Sequence, residues 1–328
     1  MSLRSALLAI VVLAAACAVP IAAQQTLGDL VAQGGYDWLM GRWVATSDEG
    51  EKVEFRYDWA LDKQAVVVDT IMGGFKYQGM AMLSPNGYDV LGFGADNRGG
   101  VWKGTWSEDP AGLVNGIEHT SPGGEVRKAE IVHSRVDADT MTIAIYAVDS
   151  SGSRSGEPWA KLTYKRQTAP AATIASTSEQ TGGSADYQTL ADLVSQGGYE
   201  WLIGKWGATK DDRTYQLEHT PILDKHAALV NVKIGDFQYR GMVTYAPASQ
   251  EIAQVGVDNM GRIWKGTWEQ GDEGAVHKVD VTRADGTTQK IQIVYIKGDN
   301  DTLKTKEYTI EGGSPTLRDE LTFKRQKP

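Results

Sequence analysis

A single cysteine, Cys17, stands in 328 residues, and it lies within an apolar N-terminal stretch. A chain cleaved after Ala23 keeps none, which excludes disulfides, a thiol nucleophile and thiolate metal sites and leaves stability to packing. Basic runs are also missing. The formal charge is −9, or −10 once Arg4 leaves with the first 23 residues. An acidic surface without a Lys/Arg stripe repels phosphate backbones, so nucleic acid is not an expected partner. No Gly-x-Ser-x-Gly, no phosphate-cradling glycine loop before a helix and no His-Glu-x-x-His occurs, so the chain lacks those hydrolase, nucleotide and zinc-protease signatures. The five histidines, His119, His133, His219, His226 and His277, form no cluster of metal-ligand spacing, and neither metal nor cofactor is expected.

What the chain has is repetition. Ala95-Asp96-Asn97-Arg98-Gly99-Gly100-Val101-Trp102-Lys103-Gly104-Thr105-Trp106 returns as Val257-Asp258-Asn259-Met260-Gly261-Arg262-Ile263-Trp264-Lys265-Gly266-Thr267-Trp268, 162 positions later. The openings match as well, from Gln25 to Trp43 and from Gln188 to Trp206. At about 150 residues per domain the length gives the same count, two. The expected organisation is a signal peptide over 1–23, one domain over 24–167, a linker over 168–186 and a second domain over 187–328. Arg4, the unbroken apolar run from Ala6 to Ala16, and Ile21-Ala22-Ala23 before Gln24 carry the export reading, periplasmic or secreted. That run falls short of the roughly 20 apolar residues that span a bilayer, so no transmembrane segment is expected. Alternatively, Leu13-Ala14-Ala15-Ala16-Cys17 resembles a bacterial lipoprotein signal, with a lipid anchor at Cys17. The stretch 168–186 is rich in Ala, Thr, Ser and Gly and has no aromatic residue. It reads as a coil reaching roughly 25 Å, long enough for independent domain motion.

Each copy begins with a helical period: Thr26 caps Leu27, Leu30 and Val31, and Thr189 caps Leu190, Leu193 and Val194. Gly34-Gly35 and Gly197-Gly198 stop these helices. The period then drops to two. Val53, Phe55 and Tyr57 alternate with Glu54, Arg56 and Asp58, and similar short runs recur between turns such as Gly73-Gly74, Pro85-Asn86-Gly87 and Pro122-Gly123-Gly124. About eight to ten antiparallel strands per copy predict an all-β protein of two tandem up-and-down β-barrels, each behind a short helix.

Gly41-x-Trp43 and Gly204-x-Trp206, set between the helix and the first strand, resemble the Gly-x-Trp signature of lipocalins and the wider calycin group. The resemblance implies a Trp plugging one barrel end with an Arg of the last strand across its ring, here Arg166 on Trp43 and Arg325 on Trp206. The Trp-Leu-x-Gly-x-Trp opening is similar to uncharacterised bacterial calycin-like domains and, more distantly, to nitrobindin. Nitrobindin-type haem barrels use a proximal His. The histidines here fall at no matching positions in the two copies, so no shared haem site is expected.

On a strand, Trp102, Gly104 and Trp106 share one face while Lys103 and Thr105 take the other. Glycines beside large aromatics suggest a cavity walled by Phe75, Tyr77, Asp96, Trp102 and Trp106 in copy one. Phe237, Tyr239, Asp258, Trp264 and Trp268 are its counterpart in copy two. The alternative makes Asp96-Asn97 a hairpin turn and the tryptophans plain barrel core. Three functional readings follow. The first is a binder of a small, largely apolar or aromatic molecule in one or both barrels. The second is a lyase, isomerase or hydrolase using lumen Asp, Tyr or Lys, with Glu54, Asp58, Glu218 and His219 as further acid/base candidates. The third is an envelope interaction module with filled barrels.

Overall fold

A computed structural model describes residues 25–167 and 188–327; the expected signal peptide with Cys17, and the expected linker, lie outside them. Helix α1 (Leu27–Gln33) opens the first copy with the expected cap, and Thr26 and Asp29 exchange side-chain and backbone hydrogen bonds there. Its start is tied to the sheet where Gly28 N–H donates to the Lys63 carbonyl at 3.0 Å. A one-turn helix, Asp37–Leu39, leads into the strands.

Ten strands follow in the first copy: β1 (Gly41–Thr46), β2 (Lys52–Ala60), β3 (Ala65–Met72), β4 (Phe75–Leu83) and β5 (Val90–Asp96), then β6 (Val101–Asp109), β7 (Gly112–Thr120), β8 (Val126–Arg135), β9 (Thr140–Val148) and β10 (Ala160–Gln167). Each pairs antiparallel with the next, and β1 closes on β10 through Trp43 opposite Arg166. The second copy repeats this after α2 (Leu190–Gln196), which Thr189 caps. Its strands are β11 (Gly204–Lys210), β12 (Arg213–Ile222), β13 (Ala227–Ile234), β14 (Phe237–Ala246) and β15 (Glu251–Asp258), then β16 (Ile263–Gln270), β17 (Ala275–Thr282), β18 (Thr288–Lys297), β19 (Thr302–Glu311) and β20 (Ser314–Arg325). They too form a closed barrel, with Trp206 opposite Arg325. The protein is thus two tandem, closed, ten-stranded antiparallel barrels, and closure leaves neither sheet an open edge.

The tryptophan plugs are buried, Trp43 at 0% and Trp206 at 1% exposure. Each indole N–H donates within its own entry segment, Trp43 to the Leu39 carbonyl at 2.8 Å and Trp206 to the Leu202 carbonyl at 3.1 Å. The Arg166 guanidinium lies 4.2 Å from the Trp43 ring centre and the Arg325 guanidinium 4.1 Å from that of Trp206. Arg166 also donates to the carbonyls of Met40 and Trp38, and Arg325 to those of Ile203 and Trp201. The last strand is thereby stapled to the first in both copies by a cation over an indole face.

A third buried cluster belongs to neither lumen. Ala65, Val67, Met80 and Ala95 of the first barrel pack with Ala227, Leu229, Met242 and Val257 of the second. The two sets occupy equivalent positions on β3–β5 and β13–β15, so the same patch of each copy meets the other about a pseudo-twofold axis, as in an isologous dimer. Two polar contacts flank it. Lys76 pairs with Asp224 at 3.1 Å, and the Asn97 amide donates to Asp224 at 2.9 Å.

Candidate functional site

The residues expected to wall a pocket face the lumens, and most of them gather at the end of each barrel away from the helix. In the first barrel Phe75 and Tyr77 sit edge-on to Trp102 at 6.4 and 5.6 Å between ring centres. In the second, Phe237 and Tyr239 approach Trp264 at 6.4 and 5.3 Å. The glycines opposite them are not open floor. A Cβ at Gly79 or Gly94 would collide with the Tyr77 hydroxyl, and one at Gly241 or Gly256 with that of Tyr239. The expected glycine-floored space is therefore filled by the protein's own tyrosines, because a small residue next to a large one on a curved sheet lets the ring fold over it.

Asp96 holds this end together. Its Oδ1 accepts the backbone N–H groups of Arg98 and Gly100 at 2.8 and 3.0 Å, and its Oδ2 accepts the Trp102 indole N–H at 2.7 Å. His119, stacked on Trp102 at 4.4 Å, brings Nε2 to 3.3 Å from the same carboxylate. Burial works to raise the Asp96 carboxyl, and hydrogen bonds from His119, Trp102, Gly100 and Arg98 outweigh it and leave the group below the usual carboxylate range. Asp258 repeats the pattern with Met260, Arg262 and Trp264, and there Arg262 takes the place of His119, its Nε donating at 2.7 Å. The carboxylate in each copy is engaged in fixing the β-turn and the tryptophan, as the hairpin-turn alternative expected.

The catalytic candidates separate. Lys103 and Lys265 project from the outer surface, on the face of the strand opposite the two tryptophans. Glu54 pairs with Arg42 at 2.5 Å, Asp58 with Arg56, and Glu218 with Lys205 at 3.4 Å, all on the outer face. His219 alone of that group reaches a lumen.

The open space lies at the other end of barrel one. A cavity of about 580 Å³ runs under α1, with an apolar wall that includes Val66, Val68, Ala81, Val90 and Leu113, and with Trp106 beside Tyr57. Trp106 is the one residue of the ten expected that lines it. Leu27, Leu30 and Val31 of α1 close it from outside, and Tyr88, 84% exposed, stands at its rim. The Tyr57 hydroxyl, on the wall, bonds His133 Nε2 at 2.9 Å, and Trp106 lies against the His133 ring at 5.2 Å. Burial lowers His133 to about 4 and pushes the Tyr57 hydroxyl well up, so both are neutral near pH 7. Nothing in the sequence paired these two, which lie 76 positions apart on non-adjacent strands.

The second barrel keeps the pair with its members exchanged. His219 stands where Tyr57 stands and Tyr295 where His133 stands, with the rings 6.1 Å apart at 80°, matching the 6.1 Å and 80° of the first copy. The absence of matching histidines in the sequence thus conceals one conserved contact. Around it the second lumen carries larger groups: Val243 replaces Ala81, Tyr245 replaces Leu83 and Gln254 replaces Gly92. Gln254 bridges the lumen, accepting the Trp268 indole N–H at 2.8 Å and donating to the Tyr239 hydroxyl at 2.8 Å. His277 stacks flat on Trp268 at 4.7 Å. Burial lowers His219 to about 4 and His277 to about 3.

Among the described residues no group of three or more His, Cys, Asp or Glu side chains is arranged to hold a metal ion, and no helix is long and apolar enough to cross a membrane. No protein-family model matches the chain, and no curated protein matches it. Among solved structures it is similar to a protein of unknown function of the DUF3598 family from Nostoc punctiforme, at 10% identity and a TM-score of 0.22, covering 88% of this chain and 97% of that one. It is also similar to a variant of the vaccine antigen transferrin binding protein B from Haemophilus parasuis, at 10% identity and a TM-score of 0.18, covering 88% of this chain and 75% of that one. Likenesses of this extent transfer no function.

Proposed function

We propose that the protein is an exported, calycin-like tandem barrel that binds a small, largely apolar molecule in the cavity of its first barrel. The observation that carries the reading is that cavity: about 580 Å³, within the roughly 300–1,000 Å³ usual for small-molecule sites and lined mainly by aliphatic side chains with a few placed polar groups. The Trp43–Arg166 and Trp206–Arg325 arrangements support the calycin kinship. Export rests on the chemistry of residues 1–23, with a lipid anchor at Cys17 as its variant form. Tyr57, whose hydroxyl is held by His133, gives a bound molecule a hydrogen-bonding group among the aliphatic residues of the inner wall, while Gln33, Asp89, Ser107 and Glu108 also line the cavity. The second lumen, bridged by its own side chains, favours a structural or interaction role for that half.

Native mass spectrometry of protein purified from its own host, followed by titration of fatty alcohols, isoprenoids and aromatic compounds, tests this. A bound molecule should quench Trp106 and raise the melting temperature, and Ala81→Trp, which fills the cavity, should abolish both effects. Absence of quenching and of any thermal shift across those classes would overturn the reading.

A further inference from the structure

The longest repeated motif sends its tryptophans inward and its lysine and threonine outward, and the outward groups of both copies meet the same space. A cleft of about 1230 Å³ opens between the barrels alongside the buried seam. Its first wall carries one cross-strand row, Phe93, Lys103, Glu118, Lys128 and Val148, paired in register from β5 to β9. Its second wall carries the equivalent row, Val255, Lys265, Asp280 and Lys290, paired from β15 to β18, with Ile310 of β19 beyond it. All ten line the cleft. Thr105 and Thr267 line it beside the first lysine of each row.

The charges within a row do not balance. Glu118 pairs with Lys128 at 3.7 Å and Asp280 with Lys290 at 3.7 Å. Among the described residues Lys103 and Lys265 have no ion-pair partner, although the chain as a whole carries −9. Next to them the cleft is apolar: Met82 and Phe93 belong to the seam cluster, and Leu91 and Val255 pack on it. Two ammonium groups without an ion-pair partner stand beside a half-buried apolar strip at the mouth of the seam, with Glu251 the lining carboxylate that is likewise in no ion pair, and this arrangement is complementary to one kind of small molecule, an anionic head on an apolar body.

We infer that the cleft between the barrels is a second binding site, for a single-chain anionic amphiphile whose acidic head is held by Lys103 and Lys265 and whose apolar body lies along Leu91, Phe93 and Val255. The site is distinct from the cavity under α1, which offers no cation among its lining residues. It needs both barrels, because each supplies one wall.

The test uses the full-length exported chain with oleate below its self-association concentration, and oleyl alcohol as the uncharged counterpart. Lys103→Gln with Lys265→Gln should weaken oleate binding by about tenfold or more, since a charge-assisted contact is lost on each wall, and leave oleyl alcohol binding unchanged. Oleate binding to the parent should weaken with added salt in the millimolar-to-molar range, and that dependence should vanish in the double variant. A diazirine-bearing fatty acid should label peptides containing Lys103 or Lys265, and Ala81→Trp should not reduce that labelling, which separates this site from the lumen. The inference is overturned if oleate fails to bind saturably, if the double variant binds it as the parent does, or if the label falls on α1 and β3 instead.

Discussion

Lowering the pH from 7.5 to 5.0 should draw stability out of both barrels through three histidines that the fold keeps neutral. His133 and His219 lie at about 4 and His277 at about 3, against 6.5 in an unfolded chain, and burial is the dominant cause in each. The folded-state values lie below the unfolded one, so the full stability is present above pH 6.5. It is lost progressively as the pH falls, and the loss levels off below about 4 for His133 and His219 and below about 3 for His277, where both states are protonated. At pH 5 the unfolded chain has bound most of a proton at each site and the folded protein almost none, which comes to ~2 kcal/mol per histidine at 1.36 kcal/mol per unit. Three such sites reach ~6 kcal/mol, comparable to the whole net stability of many domains. Urea unfolding followed by tryptophan fluorescence at pH 7.5 and 5.0 measures the loss. His133→Gln removes one titrating site while keeping a neutral polar side chain near the Tyr57 hydroxyl, so the variant should lose ~2 kcal/mol less than the parent across that interval. Equal losses in the two proteins would refute the claim that a buried neutral His133 couples folding to pH.

Arg166→Ala should cost roughly 2–4 kcal/mol, combining the cation–indole contact with two hydrogen bonds from a charged donor, read as a lower urea midpoint for the first barrel. Met242→Asp places an unpaired carboxylate in the seam at a cost of several kcal/mol; small-angle scattering should then show a larger radius of gyration while circular dichroism keeps the β signal.

The repeat, the capping threonines and the Trp–Arg plugs were legible because each depends on local pattern or on close matching between the copies. The seam, too, has a signal in the sequence. Ala65 to Val68 and Met80 to Leu83 are apolar on both faces of their strands rather than alternating, as are Ala227 to Val230. A strand apolar on both sides must be covered on both sides. Glycine in a strand pattern does not say whether the space beside it is empty or taken by a neighbouring ring, and here the Tyr77 and Tyr239 hydroxyls fold over Gly79, Gly94, Gly241 and Gly256. The Tyr57–His133 contact crosses the lumen between strands far apart in sequence, and its exchange to His219 and Tyr295 becomes visible only once the register of both barrels is known.

Asp69 of the first barrel, raised mainly by burial, feels the charge of Arg240 across the seam, and at the positions equivalent to Asp69 and Arg240 the other copies carry Asn231 and Gln78. Two first barrels docked on the same patch would bury a pair of carboxylates with no arginine opposite, and two second barrels a pair of guanidiniums with no acid. Only the mixed pairing sets an acid and a base against one another across the seam, so on this face the two halves are not interchangeable.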